Sequence, residues 1–418
     1  LYQAQFDTSD LFFELSANLV RPNGFIAFIV PDSIFNHDKQ RVRQLILKQF
    51  KIVLIARLGE KIFPNINRAC IVLIAQRVEK IQPSHAVTCF RLTPHLRKQI
   101  LSGQVGFQEL EDTHSYKILQ SRFSKNKDSL FNIDLRSEEE DLFNKFNTKS
   151  TIGDYLTSTR GVELSKSGKI VQCSQCESWM PLPTKEDFTC QHCKTKLSLQ
   201  SVKTASIITP VKQKGAVPFI AGEHIHRYSA QSKLWLNASY EGINYKSANT
   251  YQSPKLLVRK TGVGISASID VSNAWTNQVV YIFKPLPLAK KLPLELFLGI
   301  LNSRALYYYL IKKHGEIEWR SHPYLTQKQI AELPFPSLAQ LSKNQKSVEI
   351  ISMHVGKIIA GQRQPTLKED AWIEKEVARL FNLTREDYKL ILSSFVGLEQ
   401  LAPVRAVSNL TINDIFKS

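Results

Sequence analysis

Cysteine is scarce in this 418-residue chain, with only 6 residues. That number is too small for a disulfide-stapled secreted scaffold, and four of the six fall in paired C-x-x-C units of the kind found in cytosolic metal sites. Long apolar runs are also missing: none approaches the roughly 20 residues that cross a bilayer, so no membrane-spanning helix is expected. No signal or transit segment opens the sequence, which begins at Leu1 inside a patterned stretch. The expectation is a cytoplasmic protein whose beginning lies upstream. Acidic residues are under-represented, 37 against 55 basic, for a formal charge of +18. With 43% apolar residues the chain can still bury real cores, which excludes wholesale disorder.

The excess charge is uneven. Residues 1–150 carry a net +5, residues 151–335 a net +11 and residues 336–418 a net +2. A phosphate backbone is the commonest partner of such a basic middle third, and a soluble basic surface without a specific partner is the alternative.

The first 95 residues alternate helix and strand. DLFFELSANLVR has apolar positions at helical spacing with Asp7, Thr8 or Ser9 as caps. Pro22-Asn23-Gly24 ends it, and FIAFIV, KIVLIARL and ACIVLIAQR read as strands buried on both faces around a polar helix at about 38–50. This predicts part of a parallel or mixed α/β sheet. Residues 96–150 read as a polar, mostly helical linker. From 151 to 337 short β-type segments broken by Gly, Pro and Asn suit an irregular α+β recognition domain. Residues 338–418 read as helical, with Thr384 capping the last long helix.

Cys173-x-x-Cys176 and Cys190-x-x-Cys193 lie 13 residues apart. Two such knuckles complete a tetrahedral thiolate shell, the closed form of a structural zinc site, so 170–197 is read as a zinc ribbon. His192 lies inside the second knuckle but is not needed as a ligand. Cys70 and Cys89 read as core residues.

Residues 7–31 resemble the segment that follows the catalytic motif in adenine-specific DNA methyltransferases of the Taq type and the type IIG restriction–modification group. There a helix with an aromatic residue leads into K-P-G-G and a buried strand ending in V-P; here Arg21-Pro22-Asn23-Gly24 replaces that turn. FIAGEHIHRY, GINYKS, PKLLVRKTGVGISASID, NQVVYIF and LTQKQIAELPFP resemble, in order, the target-recognition domain of the same family. The resemblance implies a partial Rossmann-like methyltransferase sheet over 1–95, a target-recognition domain over 151–337, S-adenosylmethionine as methyl donor and double-stranded DNA as partner. Neither the family's Gly-rich donor-binding turn nor its N-P-P-[YFW] segment occurs in the sequence. The chain therefore reads as a C-terminal portion with no methyl transfer of its own, to be completed by a catalytic half or a separate subunit. A non-catalytic specificity subunit of a restriction–modification system is the alternative.

Phe12 aligns with the family's aromatic residue near the donor's adenine, with plain core packing as the alternative. Candidate DNA contacts are Arg259 and Lys260 at a strand end before Thr-Gly, the amide, ring and cation of Asn244, Tyr245 and Lys246, Arg227 in the G-E-H-I-H-R-Y stretch, and Arg160 before Gly161. His224 and His226 have no evident third ligand and read as loop-forming. His314, Glu316, Glu318 and Arg320 form a polar cluster in which no nuclease motif can be placed.

Overall fold

A computed structural model of the chain describes residues 7–165, 167–314, 325–398 and 402–416. Glu316, Glu318 and Arg320 lie outside the described residues. The chain divides into two compact units: Leu1–Asn144 with Tyr308–His322 and Gly397–Leu401, and Lys145–Tyr307 with Pro323–Val396 and Ala402–Ser418. No described helix is long and apolar enough to cross a membrane.

The first unit opens with α1 (Thr8–Leu19). Asp7 caps it by accepting from Ser9 N at 3.1 Å, and Asp10 accepts from Asp7 N at 3.1 Å. Asp10 is itself buried against Lys39 Nζ at 2.5 Å. The chain reverses at Asn23, which takes a left-handed φ of 62°. A Cβ on Gly24 would lie 2.8 Å from Val20 Cγ1 and 2.9 Å from the Arg21 carbonyl, so this close approach needs glycine. Then come β1 (Phe25–Pro31), α2 (Gln40–Gln49), β2 (Phe50–Gly59), β3 (Cys70–Arg77), β4 (Ala86–Arg91), α3 (Pro94–Leu101), α4 (Phe107–His114), β5 (Tyr116–Leu119), α5 (Gln120–Lys125) and α6 (Glu140–Lys145).

The five strands form one mixed sheet in the order β1-β3-β2-β4-β5, with β2 and β4 parallel and the other pairs antiparallel. The three expected strands are all there. The sequence reading missed β4 and β5, because six and four residues are too few to establish a period against polar helical flanks. Burial on both faces holds for β2 but not for β1. Ile26 and Val30 of β1 enter the core, while Phe25 and Ile29 are 61% and 59% exposed. An apolar run fixes that a strand is hydrophobic, not that both faces are covered. Beneath the sheet, the buried Arg43 donates to the carbonyls of Ile34, Asn36, Asp128 and Ser129 at 2.6, 2.6, 3.0 and 3.1 Å. Burial lowers its pKa to about 10. Cys70 and Cys89 are core residues, and burial pushes the Cys89 thiol up to about 12.

The second unit is built from short strands. They are β6 (Ser150–Thr151), β7 (Leu156–Arg160), β8 (Lys169–Gln172), β9 (Trp179–Pro181), β10 (Asp187–Thr189), β11 (Lys196–Ser198), β12 (Thr204–Ser206), β13 (Ile208–Thr209), β14 (Val217–Ile220), β15 (Ile225–His226), β16 (Ser229–Ala230), β17 (Leu234–Leu236), β18 (Lys255–Arg259), β19 (Ala267–Asp270), β20 (Trp275–Thr276), β21 (Val280–Pro285) and β22 (Pro334–Phe335). One antiparallel sheet runs β19-β18-β21-β7, and a second runs β13-β17-β14-β20. Their inward residues, among them Val162, Phe219, Leu257 and Ile282, share one core. Its helices include α7 (Ile152–Tyr155), α8 (Leu294–Leu301), the start of α9 (Arg304–His314), α10 (Gln327–Ala331), α11 (Leu338–Lys343), α12 (Gln345–Ala360), α13 (Leu367–Leu380) and α14 (Arg385–Ser393). Thr384 caps α14 as expected, accepting from Asp387 N at 3.2 Å. A Cβ on Gly299 of α8 would come within 2.5 Å of Ile351 Cγ2 on α12, so glycine lets these two helices close.

Between these strands and helices lies a buried ionic centre. Arg227 donates to both carboxylate oxygens of Asp370 at 2.6 and 3.2 Å and to the Asn302 carbonyl at 3.0 Å. Arg304 reaches Asp370 and Glu374, each at 2.9 Å, Asn409 Oδ1 at 2.7 Å and the Val407 carbonyl at 2.6 Å. Tyr388 Oη donates to Glu374 at 2.7 Å. Burial alone would raise the Asp370 pKa, but the two guanidiniums outweigh it and hold the carboxyl below its ordinary range.

Candidate nucleic-acid interface

The four cysteines expected to form a knuckle pair do converge. Cys173 Sγ lies 3.6 Å from Cys193 Sγ, Cys176 Sγ lies 3.8 Å from Cys190 Sγ, and all four sulfurs fall within 4.8 Å of one another. Thiolates at ~2.3 Å from a shared tetrahedral centre would stand ~3.8 Å apart, so the set fits a zinc ion. Both knuckles use the same backbone geometry. Gln175 N and His192 N each point at the sulfur two residues earlier at 3.4 Å, and Glu177 and Lys194, which follow the second cysteine of each pair, both take a left-handed φ. The Thr195 hydroxyl, 3.2 Å from Cys193 Sγ, pulls that thiol down to about 6.

Around the cysteines, β8, β9 and β12 form a three-stranded sheet and β10 and β11 a hairpin. Their buried core is only Val171, Cys173, Met180, Cys190 and Leu197. This segment is seated on the loop before Asn244. Trp179 N donates to the Glu241 carbonyl at 2.9 Å, and the Trp179 and Tyr240 rings meet edge-on at 5.0 Å. A Cβ on Gly242 would lie 2.5 Å from the Trp179 carbonyl and 3.2 Å from His192 Nε2. His192 therefore packs at this seat.

That loop delivers Lys246 into a polar cleft of about 220 Å³ lined by Ser158, Thr159, Arg160, Glu163, Lys246, Gln278 and Gln327. Arg160 and Lys246, distant in sequence, are brought together here. Lys246 Nζ stands 3.7 Å from Glu163, and its backbone, at φ 64°, is held by Asn244 Oδ1 accepting from Lys246 N at 3.4 Å. Asn244 is exposed and shapes this turn. Tyr245 is half-buried, its ring 5.9 Å from that of Trp275 and its hydroxyl donating to the Asn237 carbonyl at 3.5 Å; burial raises its pKa to about 12. Much of that ring is spent on packing.

Arg259 and Lys260 do not line the cleft. Arg259 is half-buried beside Thr261, Nε to Oγ1 3.4 Å, and burial lowers its pKa from the ordinary value. The Lys260 backbone bonds Val279 and Leu325. Arg227 requires a correction: it is 8% exposed and its donors are spent on Asp370 and the Asn302 carbonyl, so it is an internal tie and not a DNA contact. His224 is loop-forming, its Nδ1 accepting from Ala221 N at 3.1 Å, and burial depresses its pKa. Phe12 is 57% exposed on α1, so it is not packed in the core of this unit, whereas its neighbour Phe13 is buried. Sequence reasoning missed Glu163, Gln278 and Gln327. Glu163 follows Arg160 closely, but the two glutamines come from distant segments with no shared signal.

Two parts of the chain match family models. Residues 217–335 match the TaqI-like C-terminal specificity domain, and residues 1–63 match the Eco57I restriction-modification methylase. The chain is thus similar to restriction–modification methylases. Among solved structures, the type IIL restriction-modification enzyme MmeI in complex with DNA is 12% identical at a TM-score of 0.47, covering 95% of this chain and 53% of that one. The type IIG restriction endonuclease BpuSI is 11% identical at 0.33, covering 93% and 50%. A modification subunit of a putative type I restriction enzyme from Vibrio vulnificus YJ016 is 22% identical at 0.21, covering 28% of each chain. The chain spans about half the length of the first two. No curated protein matches the sequence.

Proposed function

We propose that this chain is the C-terminal part of a site-specific DNA methyltransferase that moves a methyl group from S-adenosylmethionine to the amino group of adenine. This part supplies DNA binding and sequence selection. The observation that carries the reading is the order of two matches in one chain, a methylase segment at 1–63 followed by a specificity domain at 217–335. The net +11 of residues 151–335 supports a phosphate-bearing partner.

The first unit supports a role at the edge of a larger catalytic sheet. β1 pairs only with β3 among the described residues, and it exposes Phe25 and Ile29 beside a helix exposing Leu11, Phe12, Leu15 and Leu19. An unpaired edge next to an apolar face invites another strand and its covering layer. In the complete enzyme the Phe12 ring would offer an apolar face to the adenine of the methyl donor. The donor supplies the electrophilic methyl group; residues of this chain position the duplex and exclude water around the extruded base. Zinc would be held by Cys173, Cys176, Cys190 and Cys193 as a structural cross-link of the 170–197 ribbon.

The test is incorporation of tritiated methyl groups into duplex DNA. The chain alone should give none, and addition of a polypeptide carrying the donor-binding turn and the N-P-P-[YFW] segment should restore transfer at adenine. Robust transfer by the chain alone would contradict the division of labour. If the partner proves to be a separate, stoichiometric, co-purifying chain, the specificity-subunit reading replaces the fused one.

A further inference from the structure

We propose that the cleft lined by Arg160, Glu163, Lys246, Gln278 and Gln327 reads one G·C base pair in the duplex rather than gripping a phosphate. This deepens the DNA-recognition reading and rests on it. The deciding feature is Glu163. A site evolved to hold a phosphodiester gains from cations and amide donors and loses from a carboxylate in its wall, since like charges repel at close range. Here Glu163 stands 3.7 Å from the Lys246 ammonium, in a wall that also carries Arg160.

A base-pair edge presents both donors and acceptors, and a cleft with both matches it. Arg donates in bidentate fashion to guanine O6 and N7, and a carboxylate accepts from cytosine N4. Arg160 and Glu163 supply these two complementary groups three residues apart. Among the described residues, no acceptor engages the Arg160 guanidinium and no partner engages the Gln278 amide, so both remain available for a ligand. Gln327 is oriented by donating to Ser158 Oγ at 3.1 Å.

The wall is also rigidly built. A Cβ on Gly161 would lie 2.0 Å from the Thr276 carbonyl, so glycine lets the chain after β7 press directly onto β20. Val162 N donates to that carbonyl at 2.7 Å, and Val162 bridges Asn277. The backbone that carries Arg160 and Glu163 is therefore fixed relative to that of Gln278 before any DNA arrives. Such preorganisation is what a reading site needs to discriminate.

The experiment is selection from duplexes with randomised central base pairs by the full chain, zinc present, comparing wild type with Glu163→Gln, Arg160→Ala and Gln278→Ala. These side chains border an open cleft, so the variants keep the fold. The wild type should enrich a motif with a G·C position. Glu163→Gln should lower discrimination at that one position on the order of tenfold and leave the other positions unchanged; Arg160→Ala should do the same at the same base pair. If Glu163→Gln keeps the motif and instead strengthens binding to all duplexes alike, the cleft is a phosphate grip and the inference is overturned. If the wild type enriches no motif, the recognition reading itself fails and takes the inference with it.

Discussion

Two regions of the second unit gather side chains other than apolar ones, and they are unequally legible in the sequence. The ribbon gathers four thiolates from two C-x-x-C units that share a short stretch of chain. The ionic centre gathers Arg227, Arg304, Asp370 and Glu374 across as many as 147 positions of sequence. In the first, ligand chemistry dictates local spacing, and spacing can be read. In the second, each charge finds its partner through tertiary packing, and nothing near Arg227 announces a carboxylate 143 residues away. An arginine in a basic context therefore reads as a DNA contact when it belongs to the core.

The two also differ in what holds them up. The four-cysteine segment has five buried core residues, two of them cysteines, and a metal held by the four thiolates would supply what so small a core lacks. The ionic centre sits on the packed α8, α12 and α13 helices and needs no ligand, but each charge needs all of its partners. Removing metal should thus have the largest local effect. Chelation, or Cys190→Ser, should abolish binding of one zinc per chain and strip hydrogen-exchange protection from 170–197. The core around Leu257 and Ile282 should stay protected. A weaker sequence preference at the cleft should accompany this, because the cysteine segment seats the loop that carries Lys246. Retained ribbon protection without zinc would show that the five-residue core suffices.

Breaking the ionic centre should come next. Arg304→Ala strands two buried carboxylates with Arg227 alone and should cost about 3–5 kcal/mol in urea unfolding. Replacing the whole cluster with apolar residues should cost far less, since the penalty is the unpaired charge and not the loss of the pair. A milder probe is acid. Asp370 has a folded pKa below its ordinary value of 3.8, so its contribution is present above that value and is lost as pH falls through the lowered one. Stability of the second unit should drop below about pH 4, and the drop should be shallower in an Asp370→Asn variant. The smallest effect belongs to Phe12. Phe13→Ala should cost about 3–5 kcal/mol through a core cavity, whereas Phe12→Ala should stay within about 0.5 kcal/mol, since that ring faces solvent.

The same contrast explains how far the fold could be read. The helix capped by Asp7, the three long strands of the first unit and the Thr384-capped helix carry their own periodicity and punctuation, and all are present. β4 and β5 lack the length for a pattern, and the exposed face of β1 depends on what covers the sheet, which no run of apolar letters records. At the site, Arg160 and Lys246 were named individually from charge and context. That they share one cleft with Glu163, Gln278 and Gln327 is a consequence of β7, β20 and α10 converging, and that convergence exists only in three dimensions.

A DNA specificity role requires that this chain choose among DNA sequences. Equilibrium binding of the zinc-loaded chain to a randomised duplex pool, repeated at two salt concentrations, measures it. The prediction is an enriched sequence whose advantage over the pool persists as salt rises while the affinity of both falls. Affinities that are the same for every duplex and vanish together with salt would reduce the protein to a basic surface and contradict the assignment.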